Sequence, residues 1–494
     1  MRVKLSDIDK GAADLHLCRA FVYALPEAGG PPGGALIASL RGATERVVRR
    51  WRLLQGLPVF DNEEQGWILE VPDTTVEPPN FDFSSARVSR PYHQTVGLDG
   101  PLAPLSSTSP SGTKPDFTQG HFRAPSTPGS LKEHAKTRRP LVAVHVTLFS
   151  DAAAVGISVP HGVFDGTGLA KLLEFISAEM SGRTWEPPAL HGGENVVSDA
   201  IKRLKAKDLP VPTHPPLSPG WVPVSLFGVI SLLVNMLWEK LWHKNKMHYG
   251  FVNRQAVDRL VEKVKADVKE QTSGKEWISS GDAVFAWMIK NLHADETASP
   301  ASFACSPVFN IRSLLIESSP DLAPSIDAYC GNAVNPYPFS PEPIRLSQLT
   351  SMSIASLALI HRRTINGCKT LPWLRARLLL SPEDRRVPPY MPERGFPGPT
   401  SSRTVYRWIA SNYAGAFAHF HIPATAAAVE GESVGEGNLP LIAFYRWVKA
   451  PIDLDGAVAM QTSEMGTFLV ASTRRARWAS LERAIERLER GEVD

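Results

Sequence analysis

Residues 142–180 read VAVHVTLFSDAAAVGISVPHGVFDGTGLAKLLEFISAEM, and the fold is decided by how this stretch bends. Ala154 to Val159 is an apolar run of strand length, and Leu169 to Met180 repeats its apolar residues at helical spacing. Between them Gly162, Gly166 and Gly168 permit a tight turn that carries His161 and Asp165 in an H-x-x-x-D-G arrangement. The chain has fourteen histidines, yet chance yields such a pattern only roughly 0.05 times at average composition. None of the other histidines has Asp four residues on. His161, at a firm strand end, is therefore the candidate general base. The competing reading is a buried histidine satisfied by a local hydrogen bond, with Asp165 a turn residue or helix cap.

At 494 residues the chain exceeds the size at which one core keeps growing, which predicts two domains. A hydrophobic fraction of 43%, a charged fraction of 21% and a net charge of +3 describe a globular protein without the basicity of a nucleic-acid binder. Cys18, Cys305, Cys330 and Cys368 form no C-x-x-C pair, which argues against a zinc ribbon or disulfide scaffold. The opening MRVKLSDIDKGAADL lacks the apolar run of a secretory signal, so a cytoplasmic protein is expected.

Leu15 to Leu25 reads as a strand, Gly34 to Leu53 as a helix and Gly66 to Val71 as a strand. Gly100 to Arg139, rich in Pro, Ser, Thr and Gly, reads as a flexible insertion without chemistry. A Pro-rich crossover at 209–222 separates an N-terminal domain, 1–208, from a C-terminal domain, 223–494. In the second domain, helices are expected at Asn253–Glu270, Asp282–Leu292 and Ser347–Ile365, and a strand at Phe303–Ile311. Trp221 to Trp238 has no charge and is followed by EKLWHKNK. Its polar stripe of Ser225, Gly228, Ser231 and Asn235 fits an amphipathic helix, either packed on the protein or touching a membrane surface through 221–246; a true span is the third option.

With these pieces in order, the chain resembles the BAHD-type acyltransferases, more closely their fungal secondary-metabolite branch, which includes trichothecene O-acetyltransferases. The resemblance runs through LSDIDKGAADLHLCRAFVYALP (5–26), HGVFDG (161–166), WISSGDAVFAWMIK (277–290), FNIRS (309–313) and YCGNA (329–333). The family's second signature, Asp-Phe-Gly-Trp-Gly, is absent; its positional counterpart is SNYAGAF (411–417), with Asn412 and Tyr413 where the signature would begin.

The resemblance implies an α/β fold of mixed sheets: two similar domains with a tunnel between them, entered by acyl-CoA from one side and the acceptor from the other. No cofactor is permanently bound; acyl-CoA, by analogy acetyl-CoA, is the co-substrate, and a hydroxyl of a hydrophobic metabolite accepts the acyl group. His161 would act as general base in direct transfer, without a covalent acyl-enzyme. Asp165 would point away from the tunnel and pair with Arg312, with Gly166 beside them. Lys275, Ser279 and Ser280 would contact CoA, although Ser280 as a helix cap explains it more simply. Tyr329, Gly331 and Asn332 would line the tunnel, or form a buried turn. A monomer is expected.

No third ligand accompanies His161 and Asp165 at metal-binding spacing, and no Walker loop, G-x-S-x-G elbow or G-x-G-x-x-G occurs. Two alternatives stand beside the acyltransferase reading. One is a condensation-type enzyme using a carrier-bound acyl group, disfavoured because Pro160 stands where those domains usually carry a second histidine. The other is a non-catalytic ligand-binding relative that has lost the second signature.

Overall fold

A computed structural model describes residues 1–493 except 26–32, 64–65, 75–76, 99–101, 106–110, 114–119, 191–192, 214–220, 224–229, 231–233, 235–236, 238–240, 243, 300, 343, 381–389, 393–403, 411–419, 428–436 and 450–456. The architecture is mixed α/β, built on two main sheets. The first has five strands in the order Leu441–Lys449, His16–Ala24, Ala152–Pro160, Ala143–Leu148 and Asp82–Arg87. All pairs are antiparallel except the last. Every residue of Ala152–Pro160 is buried, which explains an apolar run without alternation: both faces of the sheet are covered.

One face packs on helices Gly33–Arg50 and Gly166–Met180 through Leu36, Leu40, Val47, Leu169, Leu172 and Ile176. Cys18, Ala20 and Ala154 on the other face join Tyr92, Phe122, Tyr445 and Tyr249, the last of which comes from the second sheet. That sheet runs Val334–Pro336, Ser302–Asn310, Thr404–Ala410, Ala457–Thr462, Gly466–Thr473, Lys246–Asn253 and Ser111–Thr113, with Ile344–Arg345 beside Ser302–Asn310. Its core lies under helices Arg254–Gln271, Ser280–Leu292, Ile354–Cys368 and Arg475–Glu489. The sheets exchange edge strands. Leu441–Lys449, late in the chain, pairs with His16–Ala24, and Ser111–Thr113, early in the chain, pairs with Lys246–Asn253.

Two expectations change, and a third falls mostly outside the described residues. Of the insertion expected at 100–139, residues 100–101, 106–110 and 114–119 lie outside the described residues, and 120–139 is packed rather than flexible: Phe122, Leu131 and His134 are buried, and the His134 ring stacks on His16 with the two Nε2 atoms 3.3 Å apart. Turn residues suggested disorder there, but two large apolar side chains anchor the chain between them. The helix expected at Ser347–Ile365 is two, Leu346–Ser351 and Ile354–Cys368, because Ser353 breaks off to cap the second by accepting from the Ser356 amide. The segment 221–246 lies largely outside the described residues. Those that are described include a short strand, Trp221–Pro223, and Ile230, Val234, Leu237 and Leu241, which are exposed at helical positions. Among the described residues no helix is long and apolar enough to cross a membrane. All four cysteines are buried and none is in a disulfide.

Gly156 lies directly under the Phe122 carbonyl; a Cβ there would sit 1.8 Å from that oxygen. Gly156→Ala is therefore expected to destabilise the protein by about 1–3 kcal/mol or more, measured by urea unfolding, because backbone on backbone cannot give way as a side chain can. An unchanged midpoint would mean that 120–139 does not pack on the sheet as described.

Candidate active site

His161 follows the last residue of the buried strand, and its amide donates to the Leu15 carbonyl at 3.0 Å. Its Nδ1 lies 2.9 Å from the Phe164 carbonyl oxygen. A carbonyl oxygen only accepts, so in the neutral ring Nδ1 carries the hydrogen and Nε2 presents a lone pair. Among the described residues Nε2 has no hydrogen-bond partner. Burial is the largest influence on the ring and holds its pKa below the usual histidine value of 6.5. The nearby Asp165 and backbone hydrogen bonds oppose that effect, and Arg446 adds to it. The result is a neutral imidazole at pH 7 with one orientation and one available nitrogen.

Asp165 caps the helix Gly166–Met180: its Oδ1 accepts from the amides of Thr167 and Gly168, both at 2.9 Å. Its Oδ2 accepts from Arg312 Nη1 at 2.9 Å, in a pair whose side chains are 1% and 6% exposed. The second guanidinium nitrogen does not fork onto the carboxylate. Arg312 Nη2 donates instead to the carbonyls of Gly331, at 2.7 Å, and Tyr329, at 3.0 Å. Asp165 is thus both cap and ion-pair partner, which joins the two readings that the sequence left as rivals. Its own amide donates to the Cys330 carbonyl at 3.1 Å. Gly166 opens the helix, and Gly168 must be glycine for the loop to close, since a Cβ would fall 2.1 Å from the Cys330 oxygen.

Tyr329, Gly331 and Asn332 are brought to the His161 turn, and the polar side chains of Tyr329 and Asn332 are engaged there. Asn332 Nδ2 donates to the His161 carbonyl at 2.7 Å, and the Tyr329 hydroxyl accepts from Asn195 Nδ2 at 3.0 Å. Both also reach Asp9, a residue that the sequence reading did not single out. The Asp9 carboxylate is completely buried and accepts from the Tyr329 hydroxyl, from the Asn332 amide at 2.6 Å and Nδ2 at 3.0 Å, and from the Ser6 amide and hydroxyl at 2.9 and 2.7 Å. Burial pushes its carboxyl above the usual value, while these donors pull it back. The available signal was the capping box Ser6-Asp7-Ile8-Asp9, which predicts a local partner for Asp9 but not the distant loop.

The CoA candidates stand apart from this network. Ser279, rather than Ser280, caps the helix Ser280–Leu292 in a capping box with Asp282, because its amide and hydroxyl both reach the Asp282 carboxylate. Arg362 Nη2 also donates to the Ser279 hydroxyl at 2.6 Å, and His361 Nδ1 lies 2.8 Å from Asp282 Oδ1. Burial alone would raise the Asp282 carboxyl, but His361, Ser279 and Arg362 bring it down to about 2. Ser280 and Lys275 are exposed. Asn412 and Tyr413 lie outside the described residues.

Breaking the buried pair and removing the His161 ring should have different consequences. Asp165→Ala leaves Arg312 charged and unpaired and should cost about 3–5 kcal/mol of stability in denaturant unfolding. His161→Ala should stay within about 1 kcal/mol of the parent, having lost one neutral hydrogen bond. Equal midpoints for Asp165→Ala and the parent would contradict a structural role for the pair.

No protein-family model matches the chain. Among curated proteins it is 28% identical over 234 residues to the O-acyltransferase pboC of Aspergillus ustus, covering 47% of this chain and 46% of that protein. It is 27% identical over 254 residues to the O-acetyltransferase PaAT-2 of Phomopsis amygdali, covering 48% and 49%. The chain thus spans about half the length of these relatives. Among solved structures, F. graminearum TRI101 complexed with coenzyme A and T-2 mycotoxin superposes with a TM-score of 0.62 over 98% of this chain and 97% of that one, at 11% identity. This last likeness is one of fold.

Proposed function

We propose that this chain, which has the fold of the BAHD-type CoA-dependent acyltransferases and is related in sequence to fungal acetyltransferases, is an acyl-CoA-dependent O-acyltransferase. The observation that carries the reading is the His161 ring: Nδ1 is tied to the Phe164 carbonyl, Nε2 is free to accept a proton, and burial keeps the ring uncharged. A base for acyl transfer needs those three properties together.

The chemistry follows from the ring. An acceptor hydroxyl gives its proton to His161 Nε2 as its oxygen attacks the thioester carbonyl carbon. The tetrahedral intermediate collapses with cleavage of the C–S bond, and the imidazolium returns the proton to the departing thiolate. The products are an ester and free CoA. No protein nucleophile is needed, so transfer is direct. In this proposal the halves 1–208 and 223–494 form the two domains, exchanging edge strands, and the substrates meet His161 in a tunnel between them. Asp165 and Arg312 keep the turn in place without touching substrate. The donor is read as acetyl-CoA, since both relatives quoted are named for acyl or acetyl transfer, and the acceptor as a hydrophobic alcohol.

The test is thiol release from acetyl-CoA with a panel of hydrophobic alcohols. Acceptor-dependent release should fall by about 10²-fold or more in folded His161→Ala. Equal release in both proteins would remove His161 from the chemistry. The pH dependence has a defined sign. Only the neutral ring is a base, so kcat/KM should rise with pH through a midpoint below 6.5 and stay level to about pH 8. An acid limb centred above 7 would mean that burial does not govern the ring.

A further inference from the structure

We infer that Asp9 is a positioning residue for His161, acting through the side-chain amide of Asn332. The inference rests on the acyl-transfer reading for its kinetic consequence. A carboxylate used only to close a capping box needs the Ser6 amide, to which the Ser6 hydroxyl adds a second local donor. Asp9 takes three more, all from residues 329–332, more than 300 positions away in sequence. Its burial is therefore compensated by the loop that carries Asn332, and the loop's place is fixed by Asp9.

The link to His161 is one side chain long. Asn332 Nδ2 donates to Asp9 Oδ1 at 3.0 Å and to the His161 carbonyl at 2.7 Å. Both partners are acceptors, so the amide has one orientation, with its NH2 group toward them. Asp9 thereby orients the amide that holds the His161 carbonyl. The chain just after Asp9 closes on the same turn: a Cβ on Gly162 would lie 3.0 Å from Ala13 Cα and 3.4 Å from the Asp9 carbonyl oxygen. A Cβ on Gly331 would lie 2.7 Å from Asp9 Oδ1. The short N-terminal helix, Asp7–Gly11, thus stands behind the turn as a backstop, with Asp9 as its polar contact.

Asp9→Asn is nearly isosteric but not conservative here, because one carboxamide oxygen replaces two acceptor oxygens and the new NH2 group faces donors. Asn332→Ala removes the bridge while leaving the Asp9 carboxylate in place. In each variant kcat should fall about 10–100-fold, with KM for acetyl-CoA within about threefold, as a misplaced base affects chemistry more than binding. The double variant should be no worse than the more damaged single one, because the two residues act in series. The titration of the His161 ring, followed by NMR, should move up toward 6.5 in both variants as water reaches a loosened turn; a residue of purely structural value would leave it in place. Should Asp9→Asn fail to fold, Asn332→Ala carries the same measurements. If the parent turns over no acceptor, the acyl-transfer reading fails, and the ring titration still decides the role of Asp9. Folded variants with an unaltered His161 titration, or kinetic losses that simply add, would overturn the inference.

Discussion

The ion pair between Asp165 and Arg312 is the constraint on which the rest of the site depends. It joins a turn at the end of one sheet to a helix that begins beside the end of a strand in the other, and both of its side chains are buried. Neither charge tolerates that environment alone, but each is satisfied on every side. Asp165 also caps a helix, and Arg312 also holds two loop carbonyls. Such a pair adds little net stability over apolar packing, yet it sharply penalises any arrangement that separates its members. Its effect is therefore to fix geometry: loop 329–333 must sit against the His161 turn.

Desolvation links this geometry to chemistry. The burial that requires Asp165 and Asp9 to be ringed by donors also disfavours charge on the His161 ring. The turn is stitched by donors aimed at carboxylates and carbonyls, and none of the described ones is spent on Nε2. In the proposed reaction a base with a depressed pKa abstracts a proton less forcefully than free imidazole, but the depression favours its neutral, active form at pH 7.

The local parts of this account were legible in the sequence. The buried strand, the glycine turn and the capped helix of 142–180 are short-range consequences of apolar runs and turn chemistry. The pairing of Asp165 with Arg312 came from the family resemblance, not from spacing, because no local rule joins residues 147 positions apart. Asp9 is illegible for the same reason: its capping box is local, while its other donors arrive from residues 329–332, more than 300 positions away. Segment 120–139 was misread because Pro, Ser and Gly mark turns whether or not the chain between them is anchored, and only packing shows that Phe122 covers Gly156. The strand exchange between the sheets was likewise invisible, since register between distant strands leaves no periodic trace.

The central claim, that the fold presents His161 as a neutral base with its lone pair on Nε2, is tested most directly by the ring ¹⁵N chemical shifts of His161 at pH 7, assigned by comparison with His161→Ala. The account predicts a protonated Nδ1 and an unprotonated Nε2. A proton on Nε2 with Nδ1 bare, or a doubly protonated ring, would contradict it.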